Sequence, residues 1–147
     1  MTPLNLTEAV EPDFKPIPAG KYHLEIVEVK MGEMTQDGPK LPAGTRYYNV
    51  QYRVTDEFAG DGETVVENRR LFDRHNIAPE GHELKASQDG YLLAWFKAIG
   101  FPEDEIRSGE FDPELDEFRG LECMGVVTID KWDGKDVNRV KILPLDD

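Results

Sequence analysis

Aromatic and cationic residues occur close together at several places in this 147-residue chain, a combination that can stack on flat rings and hold anions. Trp132 lies beside Lys131 and close to Lys135 in a short turn, where packing would give an exposed tryptophan little purpose. Proteins that bind single nucleic-acid strands stack bases on such rings and contact phosphates with cations. The candidates are Trp132, Tyr47 and Phe72 for stacking, and Lys40, Arg46, Arg53, Arg70, Arg74, Lys131 and Lys135 for phosphate contacts.

Residues that could support catalysis or bind a metal are scattered along the chain. His23, His75 and His82 are scattered and lack the spacing of metal ligands. Asp73, His75 and His82 could form a metal cluster, but we interpret them as exposed loop residues. Cys123 has no evident histidine partner and is expected to be a small buried apolar residue. The sequence therefore predicts no enzyme activity, no cofactor and no metal.

The charge of the chain is −13, from 17 basic and 30 acidic residues, and by itself argues against nucleic acid. The distribution weakens this objection, because residues 103–118 contain eight acids and only one base. Residues 15–102 and 119–145 together contain 16 bases and 17 acids, so the expected body of the domain is nearly neutral. A single cysteine, no long apolar run and no signal-peptide pattern predict a cytoplasmic protein without a membrane span.

Alternating apolar residues predict five β-strands. The first strand begins at Lys21, and its apolar residues change parity after Ile26, which predicts a β-bulge. In the second strand, every other residue from Tyr48 to Val54 is apolar, so Tyr47 and its alternate neighbours belong to the opposite face. The other strands are predicted at about 46–55, 64–74, 121–131 and 137–143.

The spacing of apolar residues changes to that of a helix over residues 88–99. Ser87 is the predicted N-cap, and Gly100 is predicted to end the helix. A shorter helix is predicted at 113–118, with Asp112 as its cap. One main helix therefore lies between the third and fourth strands.

The order β-β-β-α-β-β is that of the five-stranded oligonucleotide-binding (OB) fold, an all-β barrel with one main helix. We predict one such domain over residues 21–147, with a short acidic C-terminal end, preceded by an extended arm at residues 1–20. OB barrels bind along the second and third strands and with the loops that join strands one to two and four to five. The first of these loops, residues 32–45, carries Lys40, and the second adjoins Trp132.

Several alternatives remain open from the residues alone. Any one aromatic residue on a strand can belong to the core instead of a binding face, and Trp95, on the apolar side of the helix, is expected there. Arg69 and Arg70 point to opposite sides of a strand, so only one can lie on the binding face. Residues 143–147 form either a docking peptide or a solvated end. The rival function is a non-catalytic protein-interaction or assembly module whose acidic surface, including residues 103–118, binds a partner protein.

Five segments between residues 16 and 143 form a wider pattern. They are Pro16-x-Pro18-x-Gly20-x-Tyr22, Tyr48-x-Val50-x-Tyr52-x-Val54, Asn68 to Phe72, Leu93 to Gly100, and Trp132-x-Gly134-Lys135-x-x-Asn138-x-Val140. This pattern resembles a family of phage-encoded single-stranded DNA-binding proteins, formerly described as domains of unknown function. The resemblance implies an OB barrel that coats single-stranded DNA during phage replication and recombination in the host cytoplasm. It also implies recombination or replication proteins as partners and allows a homo-oligomer.

Overall fold

The strands and the main helix follow one another in the predicted order in the computed structural model, which describes residues 3–8 and 15–145. The strands are β1 (Gly20–Glu33), β2 (Arg46–Val54), β3 (Arg70–Ile77), β4 (Glu122–Trp132) and β5 (Lys135–Leu143). The helices are α1 (Lys85–Ala98), α2 (Glu103–Ile106) and a 3₁₀ turn at Leu115–Phe118. Part of the predicted arm and the last two acidic residues lie outside the described residues.

All five strands form one antiparallel sheet in the order β3-β2-β1-β4-β5. β3 and β5 are the two edges of this open sheet, yet some of their Cα atoms come within 8 Å of each other. The sheet is therefore strongly curled, and α1 contacts both edge strands. A mostly β architecture with one main helix is confirmed.

β1 contains the β-bulge that its change of parity predicts. Its pairing with β2 shifts between Ile26 and Glu28, so that Leu24 and Ile26 before the shift and Val29 after it are all buried. A bulge bends and twists a strand. This bend lets β1 pair with β4 near its beginning and with β2 over most of its length.

The predicted third strand, residues 64–74, is wrong at both ends, because β3 covers Arg70–Ile77. Asn68 has a φ of 65°, in the left-handed region, and interrupts the extended backbone before the strand. The segment before it forms only an isolated bridge between Phe58 and Val65. The predicted ranges of β2, β4 and β5 are confirmed to within two residues.

Helix α1 begins at Lys85, three residues before the predicted range. Ser87 is not its N-cap. The residue lies in the first turn, where its Oγ donates a hydrogen bond to the carbonyl oxygen of Leu84 (3.0 Å). The predicted end is confirmed, because Gly100 has a φ of 112° and its amide donates to the carbonyl oxygen of Lys97 (3.1 Å).

The acidic segment, residues 103–118, differs from its prediction in two places. Only Leu115–Phe118 forms a turn of 3₁₀ helix in place of the second predicted helix. Glu114, not Asp112, caps this turn, through reciprocal hydrogen bonds with Glu117. The apolar pattern did not indicate α2, which is only four residues long. The acidic side chains of the segment are exposed, as expected, whereas the last residue of the turn is fully buried.

Trp95 lies in the core, as expected, with 2% of its surface exposed. Its Nε1 donates a hydrogen bond to the hydroxyl oxygen of Tyr52 (2.9 Å), so its polar atom is satisfied inside the protein. Burial raises the pKa of Tyr52 well above its usual range and the pKa of the Cys123 thiol to about 12. Cys123 is therefore neutral at physiological pH and behaves as the buried apolar residue that was expected.

The described end of the predicted arm, residues 15–19, packs onto the sheet. Ile17 is fully buried, and its amide donates a hydrogen bond to Asn138 Oδ1 (2.9 Å). Asn138 Nδ2 donates in return to the carbonyl oxygen of Ile17 (3.0 Å). The hydroxyl of Tyr22 donates to the carbonyl oxygen of Pro18 (2.6 Å). These bonds hold Ile17 against β5 and Pro18 against β1.

Candidate nucleic-acid interface

The side of β2 and β3 that faces away from the core is a polar and aromatic surface, here called the outer face. Val50, Tyr52 and Val54 are fully buried, so alternation turns the β2 residues between them outwards. Antiparallel pairing then determines their neighbours on β3. The outer face consists of the pairs Tyr47–Asn76, Asn49–Arg74, Gln51–Phe72 and Arg53–Arg70. It therefore brings together two aromatic and three cationic candidates.

Phe72 lies within the outer face with 63% of its surface exposed. Arg70 and Arg74 lie two residues to either side of it on the same strand, and therefore on the same face. No carboxylate of the described residues lies within 4.0 Å of either guanidinium. An exposed ring between two available cations contributes little to folding. It suits a base that carries phosphates on both sides.

Tyr47 supports Arg74 on this face. The guanidinium carbon of Arg74 lies 3.9 Å from the centroid of the Tyr47 ring, a cation–π contact. The ring also covers Gly32 on β1, where a Cβ atom would lie 2.5 Å from the ring carbons. Because the ring packs over Gly32 and carries Arg74, Tyr47 orients a cation more than it offers a free stacking surface.

Arg53, in contrast, is held by protein groups. Its Nε donates a hydrogen bond to Glu25 Oε1 (2.9 Å), and its Nη1 donates to Asn68 Oδ1 (3.0 Å). The hydrogen bond to Glu25 raises the pKa of Arg53. The side chain already has a charged partner, so it does not join the available cations beside Phe72.

β4 and β5 continue beyond the core as a hairpin that carries Trp132 near its tip. All β4 residues from Thr128 to Trp132 are exposed. Asp133 and Gly134 have φ angles of 51° and 77°, which form the tight turn that an Asp-Gly pair favours. Trp132 is 64% exposed and pairs with Lys135 across the hairpin. The ring is thus presented to solvent on a defined scaffold.

The two lysines beside Trp132 differ in their partners. Lys131 Nζ lies 2.6 Å from Asp136 Oδ1 in an exposed ion pair. Lys135 has no carboxylate within 4.0 Å among residues 3–8 and 15–145. An exposed ion pair contributes little to stability, so Lys131 can exchange its carboxylate for a phosphate. Both lysines are therefore available to an anionic ligand.

Two predicted cations do not belong to the outer face. Lys40 is exposed in the connection between β1 and β2. Arg46 has the parity of the buried Val50, not that of Tyr47. It lines a cleft of about 670 Å³ together with residues of α1 and of the acidic segment. The structure therefore separates Arg46 from the cations beside Phe72.

Two cations near the outer face were not indicated by the sequence pattern. Lys30 pairs with Asn49 across β1 and β2, and 73% of its side chain is exposed. Arg139 on β5 lines a cleft of about 360 Å³ that also contains Phe72, and its Nε lies 3.4 Å from Asp130 Oδ2. The position of Lys30 near the outer face could be predicted only from the pairing of β1 with β2 after the bulge. The position of Arg139 near Phe72 depends on the approach of β5 to β3, and a local sequence pattern does not predict that approach.

The interpretation of Asp73, His75 and His82 as exposed loop residues is wrong for Asp73 and His75, which lie in β3. His23 lies in β1, and its Nδ1 is 3.1 Å from Asp56 Oδ1. His75 lies in β3 and stacks on Trp95, with 4.3 Å between ring centroids. His82 lies in the connection before α1. Within the described ranges, no group of three His, Cys, Asp or Glu residues could hold a metal ion.

The acidic segment packs away from the outer face. It contacts α1 and β1, and none of its described residues lines the cleft beside Phe72. Glu103 forms ion pairs with Lys97 (2.7 Å) and Arg107 (2.9 Å), and these hydrogen bonds lower the pKa of its carboxyl. The largest concentration of negative charge is therefore separate from the available arginines.

Comparison of the sequence with models of protein families finds none that matches, and no curated protein matches it either. No helix in the described part of the chain is long and apolar enough to cross a membrane. A proposal about function therefore depends on the exposed side chains, their register and the clefts between the strands.

Proposed function

We propose that this chain is a non-catalytic, OB-type protein that binds single-stranded DNA without sequence preference. The resemblance described above extends the proposal to phage replication and recombination. The observation that carries it is the exposed Phe72 between two available arginines on the outer face, with an exposed tryptophan on the neighbouring hairpin. Each of these features leaves a ring or a cation unused by the fold.

The arrangement of the sheet supports the OB-type part of the proposal. OB folds are five-stranded, partly open barrels, and this five-stranded sheet curls until its edge strands approach each other. The helix between β3 and β4 contacts both edges. The β2–β3 surface and the β4–β5 hairpin are the regions through which OB barrels bind oligonucleotides. Exposed rings occur on both.

In the proposed mechanism, Phe72 and Trp132 stack on bases while Arg70, Arg74 and Lys135 contact phosphates. Tyr47 keeps Arg74 beside the strand through its cation–π contact. Stacking contributes about 1–3 kcal/mol per engaged base and tolerates any base, because every base has a flat face. Phosphate contacts release counterions, so the affinity falls as salt rises.

The first experiment is a titration of a labelled oligo-dT of about 30 nucleotides, followed by fluorescence anisotropy, at low and moderate salt. We expect binding that is weaker at higher salt and much weaker for a duplex of the same length. No binding at low salt would contradict the proposal. Equal binding of duplex and single strand would indicate charge attraction without stacking and would contradict it as well.

A matched pair of variants tests whether the exposed Phe72 stacks on a base. Phe72→Ala should weaken oligo-dT binding about fivefold or more, which corresponds to at least about 1 kcal/mol of stacking. Phe58→Ala removes another exposed phenylalanine, in the connection between β2 and β3 and outside the paired residues of the outer face, and should leave the affinity unchanged. Equal affinities for the two variants would show that Phe72 is not a stacking residue.

The exposed carboxylates of the acidic segment favour a second candidate function, an interaction module that binds a basic partner protein. They lie on and between α2 and the 3₁₀ turn, apart from the outer face. The DNA titration separates the two functions. If no single-stranded DNA binds, the acidic segment becomes the better guide to the partner.

A further inference from the structure

A second cleft continues the outer face around the edge of the sheet. The cleft beside Phe72 lies between β3 and β5 and is lined in part by Arg74 and Val140. The same two residues also line a cleft of about 380 Å³ between these strands and α1. The two clefts are therefore neighbours on one surface, with Arg74 and Val140 at their junction.

The second cleft, here called the α1 cleft, offers a ring and a cation of its own. Tyr91 on α1 lines it and is 69% exposed, although it adjoins the buried Leu92 on the same helix. Lys141 on β5 lines the opposite side and is exposed. No carboxylate in the part of the chain that the structure describes lies within 4.0 Å of its ammonium group. This repeats the chemistry found around Phe72.

Two residues that line the α1 cleft also contain buried polar atoms that form no hydrogen bond within the described chain. These atoms are His75 Nε2 and Asn76 Oδ1. Asp73 Oδ2 lies 3.0 Å from His75 Nε2, but without the geometry of a hydrogen bond. Buried polar atoms normally find a partner. The fold itself therefore does not fully satisfy the polar groups on this wall of the cleft.

We propose that the bound single strand continues from the outer face past Arg74 into the α1 cleft. There Tyr91 stacks on a base and Lys141 contacts a phosphate. This inference rests on the proposed function and adds a second group of contacts, on a helix, to those of the strands and the hairpin. It makes the edge between β3 and β5 part of the path of the strand.

Substitutions at Tyr91 and Lys141 test these contacts by anisotropy with oligo-dT. Tyr91→Ala should weaken binding about fivefold or more, whereas Tyr91→Phe keeps the ring and should bind like the unchanged protein. Lys141→Gln should lower the slope of log affinity against log salt by about 0.7, the value for one lost single-strand phosphate contact. Both positions are exposed, so folding should be unaffected, and circular dichroism checks this.

Trp95 provides a direct optical readout, because it lines the same cleft. The chain contains only two tryptophans, so Trp132→Phe leaves Trp95 as the sole indole. With anisotropy used to confirm saturation, addition of oligo-dT should change the Trp95 emission. The change should be lost when Tyr91→Ala is added to this variant and retained with Tyr91→Phe.

The outcomes distinguish this inference from the function on which it rests. If oligo-dT binds and Phe72→Ala weakens it, but Tyr91→Ala has no effect and Trp95 emission is constant, the strand does not enter the α1 cleft. The inference then fails while the proposed function stands. If the unchanged protein binds no oligo-dT at all, both fail together.

Discussion

Trp95 is 2% exposed in the core, whereas Trp132 is 64% exposed near the tip of a hairpin. Around Trp95, the rings of Phe118 and His75 stack at centroid distances of 5.5 and 4.3 Å, and Tyr52 accepts the hydrogen bond of its indole nitrogen. Trp132 instead follows Lys131 on β4 and pairs with Lys135 on β5, where the two strands extend beyond the core. The same residue type is thus fully used by the fold in one region and left available in the other.

This contrast gives a criterion for sorting the aromatic residues of the chain. A ring that is buried, stacked on other rings and satisfied in its polar atoms stabilises the fold. A ring that is exposed beside cations gains nothing from folding and is a candidate for stacking on a ligand. By this criterion Phe72 and Tyr91 belong with Trp132, at 63% and 69% exposure. Tyr48, which contacts the rings of Trp95 and Phe118, belongs with the core.

The largest effect is expected on stability, when Trp95, the buried tryptophan, is removed. Trp95→Ala should lower the free energy of unfolding by about 3–5 kcal/mol, because it leaves a cavity among aromatic rings and removes the partner of the Tyr52 hydroxyl. Urea denaturation followed by circular dichroism measures the loss. An unfolding free energy within about 1 kcal/mol of the unchanged protein would contradict the central position of Trp95 in the core.

A milder variant separates the ring from its hydrogen bond. Trp95→Phe keeps much of the stacking but removes the donor to Tyr52, so the loss should be clearly smaller than for Trp95→Ala. If the two variants are equally destabilised, the buried hydrogen bond and not the ring is the dominant contribution. The comparison between the tryptophans would then rest on polar satisfaction alone.

A smaller effect, of a different kind, is expected at the exposed tryptophan. Trp132→Ala should leave urea denaturation unchanged and weaken oligo-dT binding by about 1–3 kcal/mol. In the unchanged protein, Trp132 emission should also be quenched by the bound strand. If Trp132→Ala destabilises the fold or leaves DNA affinity unaltered, the assignment of Trp132 to binding is wrong.

Local pattern predicts most of the fold of this chain. Alternation places the buried residues of β2, and the change of parity after Ile26 predicts the bulge in β1. The Asp-Gly pair and Gly100 mark a turn and a helix end through backbone conformations that these residues favour. The start of β3 is missed because Asn68 adopts a left-handed conformation within an otherwise strand-like segment, and apolar periodicity does not report that conformation.

The candidate site is less predictable, because it depends on contacts between distant segments. Arg53 donates a hydrogen bond to Glu25, which lies 28 residues away in the chain, and this bond makes the arginine unavailable to a ligand. Arg46 follows the parity of the core and lines another cleft, although it adjoins Tyr47 in sequence. Tyr91 lies beside β3 and β5 only because the curled sheet brings both edges to α1. No local pattern contains this information.

The smallest effect is expected at two neighbouring arginines, of which one is held by a carboxylate and the other is available for binding. Arg53 and Arg70 are paired directly across β2 and β3, but only Arg53 has its charge engaged by a described carboxylate. Arg70→Gln should lower the slope of log affinity against log salt by about 0.7, as expected for one lost phosphate contact to a single strand. Arg53→Gln should leave that slope unchanged, because Glu25 already neutralises the arginine in the free protein. Titrations of both variants with oligo-dT at four or more salt concentrations measure the two slopes. Equal slopes would mean that the ion pair with Glu25 opens when DNA binds, and that engagement in the free protein does not decide which cations take part.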